Sequence, residues 1–301
     1  MSLFNVPREK QVRVIINTDA KNEADDQFAI VHALLTPKLQ IKGLIGAHYG
    51  VRDSNNTMLK SYDECRKILE IMNLSDRIEI YQGAREAITK NGDYEYSDGA
   101  ELIVREALSD SSVPLYVIFM GPITDLACAY LEHPEIAERL TAIWIGGGAY
   151  PRGGWEFNLS NDIEAANIIF HSPVKLWQVP MNIYGKMQVS LTELEMKVAP
   201  YGEIGAYLFR QMIELNNALA SRLEWPAGES WCLGDSLAVG LLIEPMEMYS
   251  EMREVPAVDE NMNYHFTGKG RKIRVYHDVN ERFILEDFYS KLVKFSKSTD
   301  F

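Results

Sequence analysis

The chain has 301 residues, 47% of them hydrophobic, and carries a formal net charge of −13 at pH 7. This charge argues against a nucleic-acid partner, because binding phosphates requires a basic surface. Three scattered cysteines, with no CxxC pair and no Cys/His cluster, indicate neither a disulfide framework nor a zinc site. No signal peptide is recognisable, and no apolar run approaches the roughly twenty residues that span a membrane. We therefore expect a cytoplasmic protein with no membrane partner.

The first predicted elements are a buried strand over residues 12–16 and a helix that begins near Asp25 and Asp26. The β-branched run of the strand stops at a polar turn that contains Asp19. Carboxylates in the first turn suit a helix, because the helix dipole favours negative charge there. Three aspartates, with Glu23 between them, thus follow the carboxyl end of a strand, and ligands bind at that edge of open α/β sheets.

Carboxylates crowded together repel one another unless a positive charge neutralises them. The simplest candidate is a hard divalent cation, which takes oxygen ligands from carboxylates, carbonyls and water. The alternative is that these aspartates only cap the helix and lie in solvent. Three aspartates within eight positions after a buried strand favour a ligand site.

Short apolar runs alternate with helical periods along the rest of the chain. Further strands are predicted at 41–47, 78–81, 115–120, 140–145, 174–179 and 273–277. Further helices are predicted at 58–72, 99–108, 126–131, 161–170, 191–223 with a break near 200–202, 235–242 and 282–295. This alternation is typical of a doubly wound, mostly parallel α/β sheet with helices on both faces. No linker, repeat or low-complexity segment interrupts it, which predicts a single domain over residues 1–301.

Four later segments place polar groups at strand-to-helix junctions. The turn at 121–125 has carbonyls that could face the acids, and the glycines within 146–150 would let the backbone approach a ligand. Glu156 and Asn158 lie two positions apart, and Asp235 precedes a predicted helix. Each has a structural alternative as a helix cap or a loop side chain. The glycine run does not fit GxGxxG, which argues against a dinucleotide site.

In this order, the motifs resemble those of the inosine–uridine-preferring nucleoside hydrolase family, from about residue 12 to about residue 288. The matching segments are 17–19 with 25–26, Gly-Pro-Ile-Thr-Asp-Leu-Ala at 121–127, Gly-Gly-Ala-Tyr at 147–150, Glu-Phe-Asn at 156–158 and Asp-Ile-Glu-Ala-Ala at 162–166. The resemblance implies one doubly wound α/β domain with Ca²⁺ at the bottom of a pocket. It also implies a nucleoside or related N-riboside as partner, and a homo-oligomer.

The resemblance further implies a role for each matching residue. The implied calcium ligands are Asp19, Asp26, the backbone carbonyl of Thr124, and Asp235. The implied ribose ligands are Asp25, Glu156 and Asn158. Asp19 would also be the base that deprotonates the attacking water. The implied reaction is calcium-dependent hydrolysis of an N-glycosidic bond, which yields ribose and free base. Its oxocarbenium-like transition state suits a pocket lined with carboxylates.

The opening motif departs from the family pattern in two ways. Asn17 stands where the family has its first acid. Five residues, 20–24, separate Asp19 from Asp25, where three are typical. The loop must therefore bulge, which would allow Glu23 to reach into the site.

The part of the site that faces the leaving base departs further. No Asn aligns after the second strand, where His48 lies, and Gly234 replaces the His that commonly protonates the leaving base. A purine or pyrimidine leaves poorly as an anion, so another group must assist. The candidates are His48 as a proton donor, and Trp155 or Trp231 as stacking partners. Each of the three could instead be an ordinary packed side chain.

Two competing functions follow from the same residues. A phosphotransferase with an aspartyl nucleophile is disfavoured, because Asn17 occupies the nucleophile position and cannot form an aspartyl-phosphate. A non-catalytic protein that binds calcium and ribose on the same fold is the alternative to the hydrolase. The retention of Asp19, which a binding protein would not need as a base, favours the hydrolase.

Overall fold

The computed structural model describes residues 4–50 and 56–297. The strands in this part of the chain are β1 (Val12–Thr18), β2 (Leu39–Gly46), β3 (Ile80–Gln82), β4 (Leu115–Phe119), β5 (Thr141–Ile145), β6 (Lys175–Val179), β7 (Gln188–Ser190), β8 (Ser230–Cys232), β9 (Ser250–Glu254), β10 (Ala257–Val258), β11 (Tyr264–His265) and β12 (Lys272–Tyr276). The helices are α1 (Asp26–Leu34), α2 (Thr57–Ile71), α3 (Asp98–Ala107), α4 (Thr124–Glu132), α5 (Phe157–Asn161), α6 (Ile163–His171), α7 (Met181–Tyr184), α8 (Leu191–Lys197), α9 (Gly202–Ala220), α10 (Ser236–Ile243) and α11 (Glu281–Ser296).

The central sheet has eight strands in the order β3-β2-β1-β4-β5-β6-β12-β9. Neighbouring strands are parallel except β9, which is antiparallel to β12. The chain builds outward from β1 to β3 and then returns to β4 on the other side of β1. Such a reversal leaves a crevice at the carboxyl ends of the two central strands. All seven predicted strands lie in this sheet, and the predicted doubly wound α/β fold is confirmed.

Both faces of the sheet are covered by helices. Val14 and Ile16 of β1 pack into one hydrophobic cluster, which includes residues of α1, α2, α9, α10 and α11. Ile15 packs into a second cluster with residues of α3, α4 and α6. Because successive side chains of a strand point to opposite faces, a strand buried on both faces is a continuous apolar run. This explains why the first strand was recognisable in the sequence.

Two elements differ from the sequence-based expectations. The helix predicted at 161–170 is two helices, α5 and α6, because Asp162 ends the first and caps the second by accepting the N–H of Ala165 at 2.8 Å. By contrast, the break predicted near 200–202 is confirmed, because α8 ends at Lys197 and α9 begins at Gly202, whose φ is +75°. The edge strand β9 was missed because its sequence, Ser-Glu-Met-Arg-Glu, contains no apolar run.

Candidate active site

A cavity of about 500 Å³ opens at the carboxyl edge of the sheet, in the crevice between the two halves. The strand ends supply Asp19 after β1, Met120 after β4, and Ile145 of β5 to its lining. The starts of α1 and α10 supply the acids Asp25, Asp26 and Asp235, and this volume is typical of small-molecule sites. The segments that the sequence placed at strand-to-helix junctions thus converge on one pocket.

Three of the predicted carboxylates form a compact group. Asp25, Asp26 and Asp235 each offer an oxygen, and these oxygens all lie within 4.8 Å of one another. Thr18 Oγ1 donates a hydrogen bond to Asp26, and the Asp235 N–H donates to Asp25 Oδ2 at 3.4 Å. Such a set of oxygens fits a hard divalent cation such as Ca²⁺.

Asp19 lies beside this group but outside the 4.8 Å set. The residue is buried, and within the part of the chain that the structure describes its Oδ2 has no hydrogen-bond partner. The end of β4 packs directly against it, because a Cβ added to Gly121 would lie 3.0 Å from the Asp19 Cβ and Cγ. A buried carboxylate oxygen without a partner is costly, and a cation or a water proton would satisfy it.

Burial and mutual repulsion raise the pKa values of these acids. For Asp19, Asp26 and Asp235, loss of hydration is the largest cause, and the neighbouring carboxylates add to it. Burial raises the pKa of Asp25 to about 6. Burial, followed by repulsion from Asp25 and other acids, raises the pKa of Glu23 to about 8. A divalent cation would reverse the repulsion and favour the ionised carboxylates.

Glu23 lines the pocket, as the longer loop predicted. The side chain is half-buried, in contrast to the fully buried Asp19. It therefore adds a carboxylate that faces the cavity in addition to those expected from the family pattern.

Glu156 and Asn158 also line the pocket and fix its wall. Glu156 Oε2 accepts the N–H groups of Gly147 and Leu159 at 2.7 and 2.8 Å. Its Oε1 accepts the N–H of Asn158 at 3.1 Å and a further hydrogen bond from Tyr184. Burial raises the pKa of Glu156, although these donors oppose the shift. The Asn158 amide donates to the carbonyls that end β4 and β5, at Met120 and Ile145, and so joins the two strands at the pocket floor.

The structure does not bring His48 or Thr124 to the pocket lining. Nε2 of His48 lies 2.9 Å from Thr124 Oγ1, which donates to Asp162 Oδ2 at 2.7 Å, while the Gly50 N–H contacts His48 Nδ1 at 3.3 Å. Burial lowers the His48 pKa to about 4, which keeps the ring neutral. Thr124 begins α4, and a helical carbonyl points along the axis toward the fourth following N–H. The structure therefore places both residues in packing contacts beside the pocket, whereas Met120 lines it at the end of β4, and the expected roles of His48 and Thr124 stay predictions.

Of the two tryptophans considered for stacking, only Trp155 lines the pocket. Trp231 is buried outside the lining, with its ring 4.9 Å from that of Trp225. Trp225 itself lines the pocket and is 45% exposed, compared with 57% for Trp155. The stacking role expected of Trp231 stays a prediction, and Trp225 is the tryptophan beside it that lines the pocket. Trp225 went unrecognised because the Trp-Pro step was interpreted only as a helix break.

Tyr184 is a further pocket residue that the sequence did not reveal. The residue ends α7, after the carboxyl end of β6, and its hydroxyl donates to Glu156 Oε1 at 2.7 Å. A Cβ added to Gly234 would lie 3.0 Å from Tyr184 Cδ2. The tyrosine ring therefore closes the space that a side chain at position 234 would need.

Comparison with known proteins decides the family. The model of the inosine-uridine preferring nucleoside hydrolases matches residues 14–286. The chain belongs to this family. The family is metal-dependent, which agrees with the acidic group in the pocket.

Relatives of this nucleoside hydrolase family member share most of its length. The pyrimidine-specific ribonucleoside hydrolase RihA of Escherichia coli K12 is 27% identical over 270 residues, which is 80% of this chain and 82% of that protein. RihA of Salmonella paratyphi A is 26% identical over 281 residues, which is 83% and 85% of the two chains. Ribonucleoside hydrolases cleave N-glycosidic bonds, so the predicted enzyme class, an N-glycosyl hydrolase, is confirmed.

Solved structures agree on the fold. A purine-preferring ribonucleoside hydrolase from Gardnerella vaginalis superposes with a TM-score of 0.79 at 20% identity, over 95% of this chain and 99% of that chain. An inosine-uridine preferring nucleoside hydrolase from Bacillus anthracis has a TM-score of 0.67 at 16% identity, over 95% and 99%. Among the described residues, no helix is both long and apolar enough to cross a membrane.

Proposed function

We propose that this protein uses Ca²⁺ to hydrolyse the N-glycosidic bond of a ribonucleoside or related N-riboside, giving ribose and the free base. The observation that carries the proposal is the group formed by Asp25, Asp26 and Asp235, in the pocket of a nucleoside hydrolase fold, beside an Asp19 oxygen that has no hydrogen-bond partner among the described residues. The relatives are named as pyrimidine-specific and purine-preferring enzymes, so they do not agree on one base.

The cation would be held by Asp26, Asp235 and Asp19, with the carbonyl of Met120 in the place first assigned to Thr124. Asp25 would serve the sugar, because it is the most exposed of the grouped acids at 9%. When bound, the cation would neutralise the carboxylates and lower the pKa of a water molecule in the pocket. The candidate ligands are oxygen atoms, which suit a hard cation, and Ca²⁺ is the hard cation that the family resemblance implies.

The chain's own residues account for the rest of the reaction. Asp19 accepts the proton of the attacking water at Oδ2, the oxygen that accepts no hydrogen bond from any described residue. Asp25, Glu156 and Asn158 hold the ribose hydroxyls. As the C–N bond breaks, positive charge develops on the sugar, and the buried carboxylates stabilise it. Trp155 and Trp225 offer ring faces at the pocket mouth to the base.

Ribose release from a panel of purine, pyrimidine and nicotinamide ribosides tests the proposal, alongside thermal stabilisation by free ribose. We expect release from at least one riboside. Stabilisation by ribose without release from any of them would instead support a non-catalytic protein that binds calcium and ribose. If the protein neither releases ribose from any riboside nor is stabilised by free ribose, both functions are contradicted.

Three further expectations stay predictions: that residues 1–301 form one domain, that the protein is a homo-oligomer, and that it is cytoplasmic. Residues 1–3, 51–55 and 298–301 of the predicted domain lie outside the described part of the chain. Size-exclusion chromatography with light scattering tests the homo-oligomer, and a mass equal to one 34.2 kDa chain would contradict it.

A further inference from the structure

Position 234, where the family commonly has the His that protonates the leaving base, supplies no proton donor in this pocket. Gly234 has no side chain, and the ring of Tyr184 closes the space above it, 3.0 Å from where a Cβ would lie. The Tyr184 hydroxyl cannot substitute, because it donates its hydrogen to Glu156 Oε1 at 2.7 Å. His48 is bonded to Thr124 outside the lining. A neutral purine or pyrimidine would have to depart without assistance from any of these groups.

The pocket is strongly acidic. Six of its lining side chains are carboxylic acids, and none of the described lining residues is Lys, Arg or His. When all six are ionised, a divalent cation would neutralise at most two of their negative charges. Glu23 is the acid left over after the proposed cation and ribose ligands are assigned, and it is half-buried. A cavity lined by one sign of charge concentrates ligands of the opposite sign.

The mouth of the pocket adds aromatic faces to this negative charge. Trp155 and Trp225 are 57% and 45% exposed, and both line the cavity. Phe157 and Tyr184 line it as well. Aromatic faces attract cations through their quadrupole, and tryptophan does so most strongly. The residues around a bound leaving group would thus suit a flat, positively charged ring.

We propose, on the basis of the proposed function, that this pocket prefers N-ribosides whose leaving group is attached through a positively charged ring nitrogen, such as a pyridinium riboside. In that class the C–N bond breaks with its electron pair moving to the nitrogen, which becomes neutral. The water oxygen forms the new bond to C1′, and the water proton goes to Asp19. No proton has to be delivered to the leaving group, so the closed position at Gly234 is no obstacle.

The first test compares kcat/KM for nicotinamide riboside, a pyridinium riboside, with kcat/KM for uridine and inosine. We expect a preference for the cation of at least about tenfold. The neutral 1,4-dihydro form of nicotinamide riboside provides a matched competitor, since it keeps the sugar and nearly the same ring. We expect it to inhibit with a Ki about tenfold above the KM of the cation. Equal or better turnover of uridine or inosine would overturn this inference and leave the proposed hydrolase intact, whereas no release from any riboside would overturn both.

A second test isolates the contribution of Glu23. Glu23→Gln should lower kcat/KM for nicotinamide riboside about tenfold, chiefly through KM, and leave neutral ribosides within about twofold. Glu195→Gln, on the exposed surface of α8, is the matched control and should change neither. Loss of kcat for uridine or inosine in Glu23→Gln would show that Glu23 delivers a proton to neutral leaving groups, and that result would contradict the preference.

Discussion

At the scale of single residues, Asp19 is the side chain on which the proposed chemistry depends. Its Oδ2 is buried and accepts no hydrogen bond from any described residue. Replacing the carboxylate by an amide keeps the shape and removes the base. We expect Asp19→Asn to lower kcat by about 10²–10⁴-fold, the usual contribution of a general base. Steady-state ribose release measures this change.

The matched control for Asp19→Asn is Asp76→Asn, an exposed position away from the pocket, which should leave kcat unchanged. Circular dichroism checks that both variants are folded. Near-normal turnover in a folded Asp19→Asn variant would contradict the role of Asp19 as the general base.

Tyr184 supports the site through its bond to Glu156. Tyr184→Phe removes one of the four donors to a fully buried carboxylate, and such a loss typically costs about 1–3 kcal/mol. We expect the melting temperature to fall by roughly 2–4 °C and the KM for the riboside to rise. Tyr94→Phe breaks a bond of the same type and length, 2.7 Å to Glu132, at an exposed site and should have almost no effect. Equal losses of stability in the two variants would contradict the account.

The sequence could predict those site residues that follow strands as acids or lie within recognisable motifs. Asp19, Asp25, Asp26 and Asp235 line the pocket, as do Glu156, Asn158 and Trp155. Tyr184 and Trp225 were invisible because their role depends on the fold bringing α7 and the segment after α9 to the same opening. His48 and Thr124 lie close to the expected place, but their hydrogen bonds to each other and to Asp162 use their polar atoms elsewhere.

At the scale of elements, the site depends on the close approach of the ends of β1 and β4. Gly121→Ala would place a methyl group 3.0 Å from the Asp19 Cβ and Cγ, both of which are fixed by burial. We expect at least a tenfold loss of kcat, with a smaller relative effect on unfolding. Ribose release and thermal melting measure the two quantities.

Gly270→Ala is the control for this substitution. Its added methyl would lie 2.9 Å from Cγ of Glu254, a flexible side chain that can move, so activity should be kept. A Gly121→Ala variant with full activity would contradict the claim that the approach of these two strands positions Asp19.

The bounds of a strand were predictable where both faces of that strand are buried. β1, β4 and β5 each contain a run of buried apolar residues, since helices cover both faces of the sheet. The short strands β7 and β8 pair outside the main sheet, and three residues with a mixed pattern give no periodic signal. β9 lies at the sheet edge and is mostly polar, so it resembled a loop.

At the scale of the whole molecule, the clustered acids should couple stability to pH and to the cation. The folded-state pKa values of Glu23 and Asp25 are raised to about 8 and about 6 from 4.5 and 3.8. An acid whose pKa is higher in the folded state than in the unfolded state stabilises the folded state fully at pH values below its unfolded-state pKa. This contribution is lost as the pH rises through the folded-state pKa. In a chelating buffer, we therefore expect the melting temperature to rise by roughly 3 °C or more between pH 9 and pH 6.5.

Ca²⁺ should counteract this loss, because it neutralises the same carboxylates in competition with protons. The stabilisation by Ca²⁺ should therefore be larger at pH 9 than at pH 6.5. Asp162, whose pKa is also raised to about 6, lies outside the lining and should titrate with or without the cation. A stabilisation that does not depend on pH would contradict binding at the acidic group.

The measurement that tests the central claim most directly is divalent-metal content together with ribose release, before and after chelation. We expect bound Ca²⁺ in the purified protein, ribose release from at least one riboside, loss of that release on removal of the metal, and recovery when Ca²⁺ is returned. Undiminished release from protein shown to contain no divalent metal would contradict that claim.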